Sequence, residues 1–303
     1  MKRLTQSDFK ICLGMQISQP IVELIESYSF IYYDVAPEEV EALLISYLEK
    51  LKTDFRQAGP DRILDWQKGW SENNEDFIKS NDTDSLSPKY FKNNILRFNG
   101  RFIRPAAPDF EKNLQKIIIS CISATYLKDL DAIYEFGCGT GYNLLQINQI
   151  NPNIKLIGTD WVSSSGEILR RLNSHFKIDC KFELFDFFNP DYNFKISENS
   201  AILTVTALEQ IGTNFNKFLD YALSQDPKYC IHIEPIIEFL DPSASLLDYC
   251  MFNYVKKRNY LQGLYGALKK LEADGIVDII FSRHVRCGSL WFEPYSILIW
   301  RKK

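Results

Sequence analysis

The stretch "YEFGCGTGYN", residues 134 to 143, decides how the rest of this chain is interpreted. Gly137, Gly139 and Gly141 follow a short apolar run and precede a helical pattern. Glycines lack a Cβ atom, so such a turn lets the backbone approach a ligand closely. The spacing is GxGxG, which differs from the GxGxxG dinucleotide pattern and from the GxxxxGK[ST] phosphate loop. The turn therefore predicts a ligand that contains a nucleoside but no phosphates.

The chain after residue 130 alternates short apolar runs with amphipathic stretches, which is typical of βαβ units and a parallel sheet covered on both faces. Two last runs have no helix between them and should pair antiparallel. The sequence thus predicts an α/β fold with a doubly wound, mostly parallel seven-stranded sheet and a C-terminal antiparallel hairpin. The runs are "AIYEF", "IKLIGT", "CKFELF", "AILTVT", "YCIHIE", "IVDIIFS" and "YSILIW".

The first third of the chain has a different pattern and is predicted to be helical. Apolar residues of "PEEVEALLISYLEKLKTDF" recur at steps of three and four, and a second amphipathic helix should begin near Pro108. Residues 71–87 are polar and are expected to form an exposed loop or lid. We predict a helical N-terminal lid or substrate-binding segment over 1–125 and a ligand-binding domain over 126–303.

Composition and charge narrow the class of protein. The 303 residues carry a formal net charge of −4, which argues against electrostatically driven binding of nucleic acid. The seven cysteines are scattered and never spaced as CxxC, which favours reduced thiols over disulfides or a zinc site. The longest apolar runs are too short to span a membrane. We expect a cytoplasmic protein without a membrane span.

Acidic residues follow the second and third predicted strands. Asp160 in "IGTDW" comes about 20 residues after the last loop glycine, where a carboxylate can bind ribose hydroxyls. Asp186 in "LFDFF" follows the third strand beside Phe187, so a carboxylate and an aromatic ring are available for an adenine.

From about residue 130 to 303 the chain resembles the class I, seven-stranded S-adenosylmethionine-dependent methyltransferases. "EFGCGTG" is similar to the family's first motif, "TDW" and "FDF" to its second- and third-strand acids, and the terminal hairpin to its sheet edge. The resemblance implies S-adenosylmethionine as cofactor and S-adenosylhomocysteine as product. It implies that the loop glycines pass under the methionine part, that Glu135 organises the amino end, and that Asp160 and Asp186 hold ribose and adenine. The same stretches add the remaining predicted cofactor contacts Cys138, Asn143, Trp161, Phe187 and Thr206.

The segment "TVTALEQIGTNF" after the fourth strand lies beside the transferable methyl group in this family. Glu209 is a candidate to position or deprotonate the acceptor, and Gln210 stands where many small-molecule members have a histidine. The NPPY-like motif and the Pro-Cys nucleophile of nucleobase-modifying and protein-glutamine-modifying branches are absent. These absences disfavour an RNA or release-factor substrate.

The fifth strand ends in "IHIEP", which places His232 and Glu234 on one side of the strand near the ligand edge. Either could act as a general base. Alternatively, His232 is a buried strand histidine with its hydrogen bonds satisfied, and Glu234 caps a helix. Glu209, His232 and Glu234 also have acceptable ligand chemistry for a divalent cation, although their spacing does not require one and no metal is expected.

Further residues are candidates for the acceptor pocket. Arg97, Arg101 and Arg104 in "RFNGRFIRP" could clamp an anion, or they could be solvated. Trp70 could stack on a sugar or pack in the core, and His284 lies in the connection between the last two strands. We expect methyl transfer to a small-molecule or carbohydrate acceptor. A protein methyltransferase with an N-terminal docking module is the alternative, and it predicts an open groove.

Overall fold

The computed structural model describes residues 1–89, 91 and 94–303. The N-terminal part contains the helices α1 (Gln6–Leu13), α2 (Gln19–Ser27), α3 (Pro37–Leu51), α4 (Ile63–Ser80) and α5 (Phe110–Ile122), and the strands β1 (Lys2–Arg3), β2 (Ile31–Asp34), β3 (Leu96–Phe98) and β4 (Arg101–Pro105). No helix of the described ranges is long and apolar enough to cross a bilayer.

The remainder supplies the strands β5 (Ala132–Phe136), β6 (Lys155–Asp160), β7 (Cys180–Leu184), β8 (Ser200–Val205), β9 (Tyr229–Glu234), β10 (Val277–Arg283), β11 (Cys287–Gly288) and β12 (Ser296–Lys302), and the helices α6 (Tyr142–Ile150), α7 (Ser163–Phe176), α8 (Asn216–Gln225), α9 (Leu246–Lys257) and α10 (Leu264–Ala273).

A seven-stranded sheet forms the centre of the molecule, as predicted. Its strand order is β10-β12-β9-β8-β5-β6-β7. β5 to β9 pair in parallel, while β12 is antiparallel to both β9 and β10. Side chains of β5 alternate between two buried apolar clusters, with Ile133 in one and Tyr134 and Phe136 in the other. The sheet is thus covered on both faces, and the chain has the α/β fold that the resemblance implied.

A second, five-stranded sheet was not predicted in the part of the chain expected to be helical. Its order is β1-β2-β4-β3-β11. β3 and β4 are joined by Asn99 and Gly100, with φ of 50° and 74°. An Asn-Gly pair with positive φ at both residues is the strongest short-range hairpin signal, and it stands in the printed "RFNGRF". β11 lies in the connection between β10 and β12, so this sheet joins the two ends of the chain.

The polar stretch 71–87 is also more ordered than the sequence indicated. α4 continues to Ser80 and a short 3₁₀ turn follows at Thr83–Leu86. Trp66, Trp70, Asn73 and Phe77 recur at helical spacing, and Asn73 and Phe77 are buried. Polar residues on the other faces of α4 concealed this stripe. The predicted helices near residues 37 and 108 are confirmed as α3 and α5.

Candidate active site

The glycine loop links β5 to α6 at the carboxyl edge of the large sheet. Gly137, Gly139 and Gly141 have φ of +75°, +53° and +72°, which other residues rarely adopt. A Cβ atom on Gly137 would lie 2.5 Å from Cβ of Ala207, and one on Gly139 would lie 2.9 Å from the ring of Trp70. Both backbone conformation and close packing therefore require glycine here.

Asp160, the last residue of β6, holds this loop in place through hydrogen bonds. Its carboxylate accepts hydrogen bonds from the backbone N–H of Gly139 at 2.9 Å and of Val162 at 3.3 Å. Burial raises the pKa of Asp160 to about 6, although these N–H donors lower it in part. Asp160 also borders a cavity described below. The predicted ribose-binding position is thus a buried carboxylate that already orders the glycine loop.

Asp160→Asn is expected to weaken S-adenosylmethionine binding about tenfold or more, because an amide has only one acceptor oxygen and cannot accept both the Gly139 and the Val162 N–H bonds. Isothermal titration calorimetry measures this affinity directly. Asp278→Asn, on the surface strand β10, is the control and should bind S-adenosylmethionine as the wild type does. An unchanged affinity in Asp160→Asn would contradict the assignment of this carboxylate.

Glu135 lies in β5, just before the glycine loop, and is fully buried. Asn143 donates to Glu135 Oε1 at 2.7 Å, and Glu135 Oε2 has no hydrogen-bond partner within the described residues. Burial raises the pKa of Glu135 to about 8. Asn143 and Cys138 border the larger cavity. Glu135 itself borders neither cavity, so it would act on the amino end of a ligand through Asn143.

The predicted adenine contacts are only partly brought together. Trp161 stacks on Phe188 with ring centroids 6.0 Å apart, and Trp161 and Phe187 border the smaller cavity. Asp186 borders neither cavity. Its carboxylate accepts from the Phe188 backbone N–H at 2.8 Å and from the Asn189 amide at 3.1 Å. These local bonds shape the turn after β7, and the role of Asp186 in holding adenine stays a prediction.

Two adjoining cavities lie at the glycine loop, with volumes of about 60 Å³ and about 360 Å³. Both cavities are lined by Gly137, Thr206 and Gln210 and by Trp66 and Trp70 of α4. Thr206 has a positive φ of 49°. The walls of the larger cavity mix aromatic and charged groups. They include Arg62, Trp66, Trp70, Glu111, Gln115, Glu209, Arg258, Tyr260, Ser289, Trp291, Phe292 and Tyr295.

Helix α4 covers this region with its tryptophans. Trp66 and Trp70 stack with centroids 5.4 Å apart, and both border the two cavities. The helix is fastened to α7, where Asn74 donates to Glu167 at 3.2 Å and the guanidinium of Arg171 lies 5.5 Å from the ring centre of Phe77. Helix α4 is therefore packed on α7, Trp70 borders both cavities, and a role as a lid stays a prediction.

Glu209 and Gln210 lie on the 3₁₀ turn Leu208–Ile211, directly after β8. Both border the larger cavity. The Gln210 amide donates to Glu209 Oε1 at 2.8 Å, and Glu209 Oε2 has no hydrogen-bond partner within the described part of the chain. Burial, and then the nearby carboxylate of Glu234, raise the pKa of Glu209 to about 8. A carboxyl group that titrates near neutral pH beside a cavity has the properties of a general base.

His232 and Glu234 are not at the cavity wall, in contrast to the expected role as a base. His232 Nδ1 pairs with the Thr204 hydroxyl at 2.9 Å, and its Nε2 accepts from Trp300 Nε1 at 3.0 Å. Burial lowers the pKa of His232 to about 3. Glu234 accepts three backbone N–H bonds from residues 207–209, at 2.9, 3.0 and 3.2 Å. His232 thus matches the alternative of a satisfied strand histidine, whereas Glu234 caps the earlier 3₁₀ turn Leu208–Ile211 and not the next helix along the chain.

Stability of the protein without ligand should fall as pH rises from about 5 to 8. Burial raises the pKa of Glu135 and Glu209 to about 8, of Glu234 to about 7 and of Asp160 to about 6. The folded state then binds more protons than the unfolded state in this window, so the free energy of unfolding decreases with pH. Thermal unfolding across this range tests the sign, and Glu135→Gln should flatten the slope. A rising melting temperature would contradict it.

The arginines predicted to clamp an anion lie elsewhere. Arg97 is fully buried between the rings of Tyr47 and Phe102, and its Nε donates to the Leu290 carbonyl at 3.0 Å. Arg101 is exposed on β4, and Arg104 pairs with Glu39. The hairpin topology of β3 and β4, unseen in the sequence, directs this segment away from the cavity.

His284 does not border the larger cavity either, and its Nε2 lies 3.0 Å from Oε2 of Glu293 in the β11–β12 connection. The connection itself does reach the cavity, through Ser289, Trp291 and Phe292. The sequence interpretation missed Arg62 and Arg258 there. Arg258 stands in the basic run "KKRNYL", which by itself is typical of a basic helix face.

No three or more His, Cys, Asp or Glu residues are grouped to hold a metal ion in the ranges that the structure describes. The cation triad considered from sequence is not assembled, since both ring nitrogens of His232 already have protein partners.

No protein-family model matches the sequence, and no similar sequence was found among curated proteins. Solved structures with a similar fold include the plantazolicin methyltransferase in complex with a monoazolic desmethylPZN analog and SAH. It has 15% identity and a TM-score of 0.45, with 80% of this chain and 98% of that chain covered.

Human N-acetylserotonin methyltransferase in complex with SAM has 11% identity and a TM-score of 0.47, with 93% of this chain and 69% of that chain covered. Magnesium protoporphyrin IX methyltransferase from Synechocystis PCC 6803 with bound SAH has 14% identity and a TM-score of 0.45, with coverages of 64% and 83%. Similarities this low leave the activity of the present chain to be argued from its own site.

Proposed function

We propose that this chain is an S-adenosylmethionine-dependent methyltransferase that modifies a small polar acceptor enclosed in the larger cavity. One observation carries the proposal: Glu209, a buried carboxyl group with one unpaired oxygen, borders the same cavity as the glycine loop. The finer proposal is a sugar or nucleotide sugar, in the tailoring of a polysaccharide or natural product.

The residues around the glycine loop are suited to hold S-adenosylmethionine. The loop glycines supply bare backbone, Glu135 and Asn143 a polar group for the amino end, and Asp160 a carboxylate for ribose. Phe187 and Trp161 supply aromatic surface for adenine. When bound, the cofactor supplies an electrophilic methyl group on its sulfonium sulfur.

Glu209 would act on the acceptor. The Glu209 carboxylate would take the proton from an acceptor hydroxyl, so that the acceptor oxygen could receive the methyl group that the cofactor would supply. An amine acceptor requires the same proton removal before attack. Gln210, bonded to Glu209 at 2.8 Å, fixes the orientation of the carboxylate.

The lid favours a small acceptor over a protein. Helix α4 packs across the loop, and the Thr140 hydroxyl donates to the Leu86 carbonyl at 2.7 Å, which fastens the segment after α4 to the loop. A docking site for a protein would need an open groove. The stacked Trp66 and Trp70 also offer an aromatic surface of the kind on which sugars stack.

The test is transfer of labelled methyl from S-adenosylmethionine into a cell extract separated beforehand into small molecules, polysaccharide, protein and nucleic acid. Label in the small-molecule or glycan fraction is the expected result. Label in protein alone would contradict the small-acceptor proposal, and the N-terminal part would then be a docking module. Absence of transfer to every fraction would contradict methyl transfer itself.

A further inference from the structure

We propose that the methyl acceptor carries an anionic group, a carboxylate or a phosphate, which Arg258 binds with help from Arg62. This inference rests on the proposed function, since it concerns the acceptor of the same site. It is based on the unused hydrogen-bond donors of these two guanidinium groups, whose residues border the larger cavity.

Arg258 is a partly buried arginine that forms no direct ion pair among the described residues, although the carboxyl group of Glu209 is near enough to interact with it electrostatically. Its Nη2 donates to the Tyr260 hydroxyl at 2.9 Å, and its guanidinium lies 5.0 Å from the centre of that ring. Its Nε is buried and has no hydrogen-bond acceptor among the described residues. Arg286 and Arg301 each pair with an aspartate, although Nε of Arg286 is likewise buried without an acceptor among the described residues. Arg258 therefore keeps donor capacity that no described side chain uses.

The position of Arg258 is held by its backbone. It follows the last residue of α9, and its carbonyl accepts from the Ala58 N–H at 2.7 Å. The neighbouring Asn259 amide donates to the Ala58 carbonyl at 3.1 Å. These two bonds join the end of α9 to the chain segment that leads into α4. The guanidinium is thus placed before any acceptor arrives, which reduces the entropic cost of binding.

The same segment brings Arg62 to the cavity. Arg62 Nε donates to Asp65 at 2.6 Å, its guanidinium lies 5.6 Å from the centre of the Trp66 ring, and its side chain is 16% exposed. Its Nη1 is buried without an acceptor in the described ranges. Arg62 is therefore partly neutralised by Asp65 and has one further N–H to offer, so Arg258 is the principal anion-binding residue.

A buried N–H without an acceptor costs about 1–3 kcal/mol, and the planar guanidinium fork suits the two oxygens of a carboxylate or phosphate. An oxyanion at this wall would satisfy both groups. Aromatic residues of the same cavity, Tyr260, Trp291 and Phe292, supply surface for the rest of the acceptor. Arg258, Arg62 and Glu209 border one cavity, so an acceptor bound through its anion is within reach of the proposed base.

The first experiment measures binding of matched probes to the full chain saturated with S-adenosylhomocysteine. Tryptophan fluorescence reports it, because Trp66, Trp70 and Trp291 border the cavity. Glucose 1-phosphate is compared with methyl glucoside, and benzoate with benzamide. We expect the anion of at least one pair to bind about tenfold or more tightly than its neutral partner, and the pair that does so separates phosphate from carboxylate. Equal binding within both pairs would overturn the inference.

The second experiment assigns the preference to Arg258. Arg258→Met keeps the side-chain length and removes the charge, and should lower anion affinity about 10- to 100-fold while leaving the neutral probe unaffected. Arg258→Lys should retain part of the preference, and it serves if the methionine variant fails to fold. Arg301→Gln, which removes a surface ion pair, is the control. A preference that survives in both Arg258 variants would refute its role.

Binding and turnover separate the two proposals. Labelled methyl transfer is measured on the same preparation. Transfer without any anion preference would remove the anionic acceptor and leave the methyltransferase proposal intact. An anion preference that depends on Arg258, without transfer to any fraction, would contradict the proposed function and leave the anion site.

Discussion

Gly137→Ala is expected to abolish measurable S-adenosylmethionine binding, with an affinity loss of at least about 100-fold. The new Cβ atom would stand 2.5 Å from Cβ of Ala207, closer than such atoms approach, and φ at this residue is +75°. Ala207 cannot readily move away, because its backbone N–H is held by Glu234 at 2.9 Å. Strain and overpacking together should lower the free energy of unfolding by about 2–5 kcal/mol.

Gly275→Ala is the matched control for this variant. Gly275 has the same φ of +75°, yet nothing lies within 4 Å of the position of its Cβ atom. In Gly275→Ala, backbone strain alone should lower the free energy of unfolding, by about 1–2 kcal/mol, and cofactor affinity should stay at the wild-type value. Calorimetry measures the affinities, and chemical denaturation the free energies of unfolding. Equal cofactor affinity in the two variants would mean that close packing at Gly137 does not shape the cofactor site.

Glu209→Gln should lower kcat by about 10²- to 10⁴-fold, the usual contribution of a general base. The amide is isosteric, and its oxygen can still accept from Gln210, so folding and cofactor affinity should be nearly unchanged. Steady-state kinetics with the acceptor fraction identified by methyl labelling provide the measurement. Glu49→Gln, a surface glutamate paired with Lys52, is the control and should have wild-type kcat.

The pH profile tells a base from a residue that only shapes the cavity. The pKa of Glu209 is raised to about 8, so its carboxylate form, which accepts the proton, becomes populated as pH rises. Wild-type activity should therefore increase with pH through this titration, and the remaining activity of Glu209→Gln should lack that limb. A full kcat, or an unchanged pH limb, in Glu209→Gln would show that the base has been misassigned.

The fold and the cofactor loop were predictable because their signals are local. Strand runs of the large sheet, the helix-free terminal pair and the three loop glycines are each contained in a few consecutive residues. Conformation at the glycines follows from the absence of a side chain, whatever surrounds them. The Asn99–Gly100 hairpin is equally local, since its signal is contained in the two turn residues.

The acceptor site shows the opposite behaviour. Residue type made His232, Glu234 and Glu209 equally plausible bases, and only their partners distinguish them. His232 and Glu234 have their hydrogen bonds satisfied within the fold, whereas Glu209 keeps an unpaired oxygen at the cavity. Arg97, which the sequence made a candidate for binding an anion, is enclosed by aromatic rings. Arg258, which the sequence did not single out, borders the larger cavity.

The sequence by itself determined the strands of the α/β sheet and the glycine loop with Asp160. Backbone conformation and side-chain periodicity depend on neighbouring residues, so both can be predicted from short stretches of the chain. Tertiary structure alone decided which charged groups meet at the acceptor cavity. Arg62, Glu209, Arg258 and Trp291 come from segments far apart in the chain, and their contact depends on how α4 and the β11–β12 connection pack on the sheet edge. Whether a buried charge is satisfied or left to bind a ligand depends on that packing.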